Sequence, residues 1–202
     1  HYLRDGAFAG RIAHLLFDPA FYTAAHADDP SLASLGPYAH ALHALAAGAA
    51  EPRTSPYFDP AWYRGFYPRA VQPPYRSALH HYLANPTPTE FDPLADFVEA
   101  HYLATSPDVA AEVKAGRLRN GYEHFLKNGA HERRSPAPWI DLHHYLAAHP
   151  EAAAALDDHS MPHAFAHVLL VGLPAGLSLA PAAGNPRAQA LLPLRSRGRL
   201  DF

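Results

Sequence analysis

Two short phrases recur along this chain at intervals of about 40 residues, and this repetition constrains the fold more than any other feature. The first phrase is an apolar residue followed five positions later by tyrosine, and its clearest copies are FDPAFY and FDPAWY. Such a period is typical of folds in which each repeat covers the apolar face of its neighbour. The four copies are Phe17/Tyr22, Phe58/Tyr63, Phe97/Tyr102 and Ile140/Tyr145.

The second phrase is histidine, any residue and leucine, followed by residues that end a helix. A glycine just beyond a helix can adopt the left-handed conformation that a Cβ disfavours. We therefore expect each copy to be a helix that is closed by such a glycine. The copies are His1/Leu3, His43/Leu45, His81/Leu83, His124/Leu126 and His167/Leu169. The end signals are Gly6, Gly48, Gly129 and Gly172, with Asn85-Pro86 in the third copy.

The first phrase also carries signals for the start and the end of a helix. Asp18-Pro19 and Asp59-Pro60 each place a carboxylate before a proline, at positions where helices accept both. Ten residues after the leading apolar position, a proline is expected to stop the helix in three copies. These prolines are Pro68, Pro107 and Pro150. Pro107 and Pro150 can also begin a second short helix, with Ser106 as the N-cap before Pro107.

The sequence therefore predicts an all-α fold, since no stretch shows the sustained alternation of a half-buried strand. We expect about four tandem helical-hairpin repeats over residues 1–173, stacked as a short solenoid-like array. Residues 174–202 contain proline, glycine, alanine and four arginines without a clean apolar stripe. This composition predicts an irregular linker or C-terminal arm.

The stretches HYLRDGAFAGR, LFDPAFY, YLATSPDVAAEV and YEHFLKNGAHERRSPAPWIDLHHYL resemble tandem repeats that accompany bacterial glycosyltransferases and other surface-polysaccharide biosynthesis proteins. That family's phrase runs Phe-Asp-x-x-Tyr-Leu, Pro-Asp-Val-Ala, His-Tyr-Leu-x-x-Gly and Glu-Gly-Arg. The match covers nearly all of residues 1–173 and departs most over 60–90, where YPRAVQPP replaces Pro-Asp-Val. The resemblance implies an accessory region without agreed catalytic residues, whose partner is another protein or an adjacent catalytic domain, and it favours a cytoplasmic location.

Composition and motifs argue against several other functions. A net charge of -3 over 202 residues does not favour nucleic acid or an anionic membrane surface as a partner. The absence of cysteine excludes disulfides, thiolate zinc sites and thiol catalysis, and no apolar run has the length of a membrane span. The chain has no Gly-x-Ser-x-Gly, phosphate-binding glycine loop, His-Glu-x-x-His or Asp-x-Asp motif. We therefore expect a non-catalytic module without a cofactor.

A histidine-mediated metal site is one alternative, suggested by the stretch HSMPHAFAH. On one continuous helix, His159, His163 and His167 would share a face, and such spacing can chelate zinc. Pro162 interrupts that helix, which leaves only His163 and His167 paired. For the histidines of the second phrase, we favour a structural role over metal binding. Residues on successive helix layers lie about 10 Å apart, which is too far for two of these histidines to bind the same metal ion.

A carbohydrate-binding module is the other alternative, because the repeated aromatic residues could stack on sugars in a groove. Trp62 and Trp139 are the candidates for such stacking. The helical spacing of the aromatic residues favours a buried core instead, because an amphipathic helix buries its apolar stripe. The residues concerned are Phe17, Phe21, Tyr22, Phe58, Trp62, Tyr63, Tyr102, Trp139 and Tyr145.

Overall fold

The computed structural model describes residues 14–181, and within this range the chain is helical. It contains eleven α-helices, and the extended pairing in this range is limited to isolated bridges. The predicted all-α class is therefore confirmed. The chain divides into two compact units between Ala84 and Asn85, and each is described separately below.

The N-terminal unit contains five helices, most of which begin with the predicted combination of aspartate and proline. They are α1 (Pro19–Ala25), α2 (Pro30–Leu35), α3 (Pro37–Ala46), α4 (Pro60–Phe66) and α5 (Ala78–Ala84). The side chains of Asp18 and Asp59 accept hydrogen bonds from backbone N–H groups in the first turns of α1 and α4. The starts predicted at Asp18-Pro19 and Asp59-Pro60 are thus confirmed. Asp29 caps α2 in the same way, which the sequence analysis did not anticipate.

The C-terminal unit contains six helices, two of which continue into π-helical turns. They are α6 (Glu99–Thr105), α7 (Pro107–Lys114), α8 (Gly121–His124), α9 (Leu142–Ala148), α10 (Pro150–Asp157) and α11 (Ala164–His167). The turns Phe125–Gly129 and Val168–Gly172 follow α8 and α11, and a 3-10 turn, Pro88–Glu90, precedes α6. Pro107 and Pro150 begin helices as predicted. Ser106 is the N-cap residue of α7, as predicted, but its side chain makes no capping hydrogen bond.

The predicted glycine caps are confirmed at one position and wrong at two. Gly48 follows α3 with a φ of +78°, the left-handed conformation expected there. Gly129 and Gly172 end the two π-helical turns and do not adopt a positive φ. These two glycines serve a different purpose, which is described with the site below. Gly6 and the first copy of the histidine phrase lie outside the described residues.

Three tight turns position the leading apolar residue of a repeat. They are closed by isolated bridges that join His14 to Phe17, Ser55 to Phe58, and Ala137 to Ile140. The residue after the leading apolar position donates its backbone N–H to a carbonyl that lies further along the chain. These bonds are Asp18 N to Thr54 O at 2.8 Å, Val98 N to Pro136 O at 2.9 Å and Asp141 N to Leu179 O at 2.9 Å. The first two bonds tie the start of one repeat to the segment that opens the next, and the third ties the start of the last repeat to the segment that follows it.

The segment predicted as an arm is partly packed where the structure describes it. Leu179 is 8% exposed, and its carbonyl accepts the hydrogen bond from Asp141 N. The neighbouring Ser178 carbonyl lies 2.9 Å from Nε2 of His149. Packed structure thus continues past residue 173, where the helical domain was expected to end, and the rest of the predicted arm lies outside the described range.

Candidate functional site

Four tyrosines and four histidines form hydrogen-bonded pairs, one for each copy of the repeat within the described part of the chain. Each pair joins the phenol oxygen Oη to the imidazole nitrogen Nδ1. The pairs are Tyr22–His40 at 2.9 Å, Tyr63–His81 at 2.6 Å, Tyr102–His124 at 2.9 Å and Tyr145–His167 at 2.7 Å. All four tyrosines are fully buried. These contacts are the most regular polar feature of the molecule, so we take them as the candidate site.

The chemistry of these pairs follows from their burial. Burial raises the pKa of Tyr22 and of Tyr145 to about 12, with a smaller contribution from nearby acidic residues. The phenols therefore keep their protons at neutral pH and can donate to a neutral imidazole. Burial also lowers the pKa of His81 and His167, which favours that neutral imidazole.

The sequence analysis placed three of the four histidines correctly. His81, His124 and His167 occupy the predicted position, and the structural role expected for them is confirmed by their bonds to tyrosine. In the first described copy, His40 makes this bond, whereas the predicted His43 is exposed. Both belong to α3 and both fit the phrase histidine, any residue, leucine. They lie nearly one helical turn apart, so only packing against the tyrosine distinguishes them.

Glycine makes room for the tyrosine hydroxyl in the C-terminal unit. A Cβ added to Gly129 would lie under 3.0 Å from Oη of Tyr102, and one added to Gly172 would also lie under 3.0 Å from Oη of Tyr145. Both glycines end a π-helical turn directly after the paired histidine's helix. The glycines that the sequence suggested as helix caps therefore preserve the space in which the phenols lie.

The first pair extends into a three-residue network. Oδ2 of Asp29 lies 3.0 Å from Nε2 of His40, whose Nδ1 contacts Tyr22. Hydrogen bonds from Ser31 and then from His40 lower the pKa of Asp29 to about 2, so this carboxylate is ionised. An acid, a histidine and a hydroxyl in series resemble a catalytic relay, but the Tyr22 side chain is fully buried. No substrate could contact that hydroxyl, and the arrangement therefore holds α1 to α3.

Two buried carboxylates receive the backbone N–H groups at the starts of histidine helices. Glu99 accepts from Gly121 N at 2.5 Å and Tyr122 N at 3.0 Å, at the start of α8. Glu51 accepts from Ala78 N at 2.6 Å and from Leu79 N at 2.9 Å, at the start of α5. The sequence analysis missed both residues, because each is more than 20 positions away from the helix it caps and carries no local signal.

The candidate metal ligands do not lie on one helix. His159 has a φ of +63° and is exposed, with Nδ1 at 3.2 Å from the Leu156 carbonyl. His163 is the N-cap of α11, and its Nδ1 accepts from Ala166 N at 3.1 Å. His167 uses its Nδ1 in the bond to Tyr145. Across residues 14–181, no group of three or more histidine, cysteine, aspartate or glutamate side chains is arranged to hold a metal ion.

The candidate sugar-stacking residues belong to the core. Trp62 and Trp139 are 7% and 8% exposed, so their ring faces are covered. Trp62 stacks on Phe66 with a ring separation of 4.9 Å, and Phe66 is the more exposed of the two. The burial predicted for the repeated aromatic residues is confirmed for all of them except Phe21, which is half-buried.

One groove of about 770 Å³ lies in the N-terminal unit between α1 and the pair α2 and α3. Small apolar residues line most of it, including Ala20, Ala24 and Ala33, and the Asp29 carboxylate lies at its edge.

The helices of residues 14–181 are all too short or too polar to cross a membrane. Comparison of the chain with protein-family models, curated proteins and solved structures gives no match.

Proposed function

We propose that this chain is a non-catalytic helical repeat scaffold and an accessory region of a bacterial glycosyltransferase or polysaccharide biosynthesis protein. Its repeats would stack as a short solenoid-like array and present a broad face to a protein partner or to an adjacent catalytic domain. The observation that carries the proposal is the set of four Tyr–His hydrogen bonds, each made by a buried tyrosine. In each of them, a tyrosine and a histidine bind each other and thereby hold two helices together.

The distribution of these bonds supports a structural rather than a catalytic use of the polar residues. Each pair joins a helix that follows a leading apolar residue to the histidine helix of the same copy. The bonded helices are α1 with α3, α4 with α5, α6 with α8 and α9 with α11. A catalytic group must reach its substrate, whereas these phenols are fully buried. The backbone bonds from Asp18 and Val98 support the tandem arrangement, because they link consecutive copies.

The family resemblance supplies the biological setting of the proposal. It rests in part on the stretches YEHFLKNGAHERR and WIDLHHYL, which contain His124, Gly129 and Tyr145 of the Tyr–His pairs and their glycines. The residues that carry the resemblance therefore include those that make the repeated contacts. An accessory array of this kind would position a glycosyltransferase or join it to a polysaccharide-assembly partner.

The proposal is tested by an in-frame deletion of residues 14–181 in the natural gene. We expect the associated transferase to lose its partner association or its cellular placement. Its transfer of sugar to a soluble acceptor should continue at the rate of the intact protein. The substitution Lys114→Ala, on an exposed position of α7, is the matched control and should preserve both properties.

The opposite result would count against the scaffold role. If deletion abolishes transfer to the soluble acceptor while the transferase remains folded, the region takes part in the chemistry. Turnover of a nucleotide sugar by the purified 202-residue chain alone would contradict the proposal directly.

A further inference from the structure

The groove of the N-terminal unit lies in the copy of the repeat that begins at Phe17, which we call the Phe17 copy. It runs between α1 and the helices α2 and α3, and exposed alanines such as Ala20 and Ala24 line it. The Phe97 copy consists of the corresponding helices α6, α7 and α8. Its side chains therefore show what occupies the same place elsewhere in the molecule.

A leucine occupies this place in the Phe97 copy. Leu103 directly follows the paired tyrosine, and its Cδ2 atom lies 3.0 Å from the position that a Cβ on Gly121 would take. Since Gly121 begins α8, the leucine side chain lies between α6 and the start of α8. In the Phe17 copy, the residue after the paired tyrosine is Thr23, which is shorter, exposed and part of the groove. The groove thus corresponds to the space that a leucine fills in the Phe97 copy.

The start of the histidine helix also carries a smaller residue in the Phe17 copy. The N-cap of α8 is Asn120, whose buried side chain accepts from Glu123 N. The N-cap of α3 is Gly36, which lines the groove without a side chain. Both differences between the copies therefore open the groove.

An arginine binds the acidic residue at the start of the second helix in the Phe97 copy. The two Nη atoms of Arg134 donate to the carboxylate of Asp108, in the first turn of α7, at 2.8 Å each. A bidentate pair of this kind is directional and specific for a guanidinium. The arginine belongs to the segment that follows the π-helical turn of the same copy.

The acidic residue at the start of the second helix in the Phe17 copy has different partners. Asp29, the N-cap of α2, accepts from the N–H and the hydroxyl of Ser31 and lies 3.0 Å from Nε2 of His40. With these partners, the ionised side chain is still 46% exposed at the edge of the groove. An arginine could therefore still reach this carboxylate from solvent.

The register of the two copies shows why the chain itself supplies no equivalent of Arg134. The bonds that open the next repeat are accepted by Thr54 O after the Phe17 copy and by Pro136 O after the Phe97 copy. Two residues before these acceptors stand Pro52 and Arg134, respectively. The Phe17 copy therefore has the acid and the space, but proline replaces the arginine and threonine replaces the leucine.

We propose that the groove of the Phe17 copy binds a segment of a partner protein that carries a leucine-sized aliphatic side chain next to an arginine. The aliphatic side chain lies beside Thr23, where the Phe97 copy has its own leucine, and the guanidinium binds Asp29 as Arg134 binds Asp108. The apolar contact supplies most of the affinity, whereas the exposed ion pair sets the orientation of the segment. The inference rests on the proposed scaffold function, since it assigns a surface of the scaffold to its protein partner.

The direct test is a titration of the full 202-residue chain with the dipeptide acetyl-Leu-Arg-amide, followed through the backbone amide signals in NMR. We expect saturable shifts at Ala20, Thr23 and Gly36 with up to about 10 mM dipeptide, since so small a ligand should bind with a millimolar Kd. Acetyl-Leu-Glu-amide should need a roughly fivefold or higher concentration for the same shifts, because like charges then meet at Asp29. The absence of shifts with acetyl-Leu-Arg-amide, or equal shifts with both dipeptides, would overturn the proposal.

Three variants locate the binding. Thr23→Leu introduces the residue that the Phe97 copy has at this position and should abolish the saturable shifts. Thr105→Leu, at an exposed position that ends α6, is the matched control and should retain them. Asp29→Asn keeps an N-cap acceptor but removes the charge, and it should raise the Kd about two- to fivefold. Binding that is unchanged in Thr23→Leu would contradict the assignment to the groove.

A second copy of this chain is the alternative occupant of the groove. It would shift the same amide signals when the protein concentration is raised without dipeptide, and this result would overturn the proposal. A negative titration removes the groove as the partner site but leaves the scaffold function intact, because the deletion experiment measures partner association through the whole region.

Discussion

The hydroxyl of Tyr102 occupies the space that a Cβ on Gly129 would need. The tyrosine reaches this position from α6 to contact Nδ1 of His124, and Gly129 ends the π-helical turn that follows α8. The same relationship holds between Tyr145 and Gly172. A tyrosine therefore forms one structural unit with a histidine that lies 22 residues further along the chain and with the glycine that follows this histidine, in two copies of the repeat.

The first prediction is that Gly129→Ala destabilises the C-terminal unit. The added methyl must displace the phenol, which breaks the bond to His124 and strains a packed core. We expect a loss of about 2–4 kcal/mol in the free energy of unfolding, from overpacking and one disrupted buried hydrogen bond. Thermal unfolding followed by circular dichroism measures it.

Gly65 provides the matched control for this substitution. It lies inside α4, and a Cβ there would meet no atom within 4 Å. Gly65→Ala should leave the stability unchanged or increase it by up to about 1 kcal/mol, because alanine favours the helix. Equal losses in the two variants would show that the space beside Tyr102 has no special importance.

The second prediction concerns the hydrogen bond between Tyr145 and His167. Tyr145→Phe keeps the ring but removes the hydroxyl, so Nδ1 of the buried His167 loses its partner at 2.7 Å. The free energy of unfolding should fall by about 1–3 kcal/mol, the usual cost of an unsatisfied buried polar group. Chemical denaturation monitored at two wavelengths would measure the change.

Tyr75→Phe is the comparison for this loss. Tyr75 is half-buried, and its ring meets His81 edge-on at 4.6 Å. Removal of its hydroxyl should change the stability by less than about 0.5 kcal/mol. If Tyr145→Phe behaves in the same way, the repeated Tyr–His bonds contribute little to stability, and the structural argument for the scaffold is weakened.

The parts of the fold that could be predicted from the sequence are those specified by neighbouring residues. Asp18 and Asp59 cap the helices that start at the prolines next to them, because an N-cap and a proline act within one turn. The burial of the regularly spaced aromatic residues was also predictable, since a helix must bury its apolar stripe. Phe58, Tyr63 and Tyr102 are fully buried accordingly.

The parts that could not be predicted depend on contacts between distant residues. His40 and His43 fit one pattern equally well, and only the position of Tyr22 decides between them. The role of Glu99 depends on α8, which begins 22 residues later along the chain. Gly129 was interpreted as a helix cap because glycine often is one, whereas here a tyrosine hydroxyl from another helix requires it.

The third prediction is an acid sensitivity that depends on His163. Burial, with a contribution from the charge of His131, lowers the pKa of His163 from its ordinary 6.5 to about 4. A lowered pKa means that the folded state resists protonation, so the associated stability is present above pH 6.5 and is lost as the pH falls towards 4. The full effect is about 3 kcal/mol.

The substitution His163→Asn should remove this part of the acid sensitivity while keeping the cap. Asparagine is a good N-cap, so it can still accept from Ala166 N at the start of α11. The free energy of unfolding, measured at several pH values between 4 and 7, should fall less steeply on acidification than in the wild type. An unchanged slope would mean that other groups cause the acid sensitivity. His143→Asn, which replaces an exposed histidine of α9, should retain the wild-type slope.

The last prediction is that residues 174–181 stabilise the final repeat. A chain ending at residue 173 loses the burial of Leu179, its bond from Asp141 N and the contact between His149 and the Ser178 carbonyl. Burial of a leucine contributes about 1.5–3 kcal/mol and each hydrogen bond about 1 kcal/mol. The chain 1–173 should therefore unfold several degrees below the chain 1–181 in calorimetry.

The single substitution Leu179→Ala in the full chain should reproduce much of this difference, whereas Leu177→Ala, at a half-buried position, should reproduce less. If both truncated chains unfold at the same temperature, residues 174–181 are an arm, as their composition alone suggests.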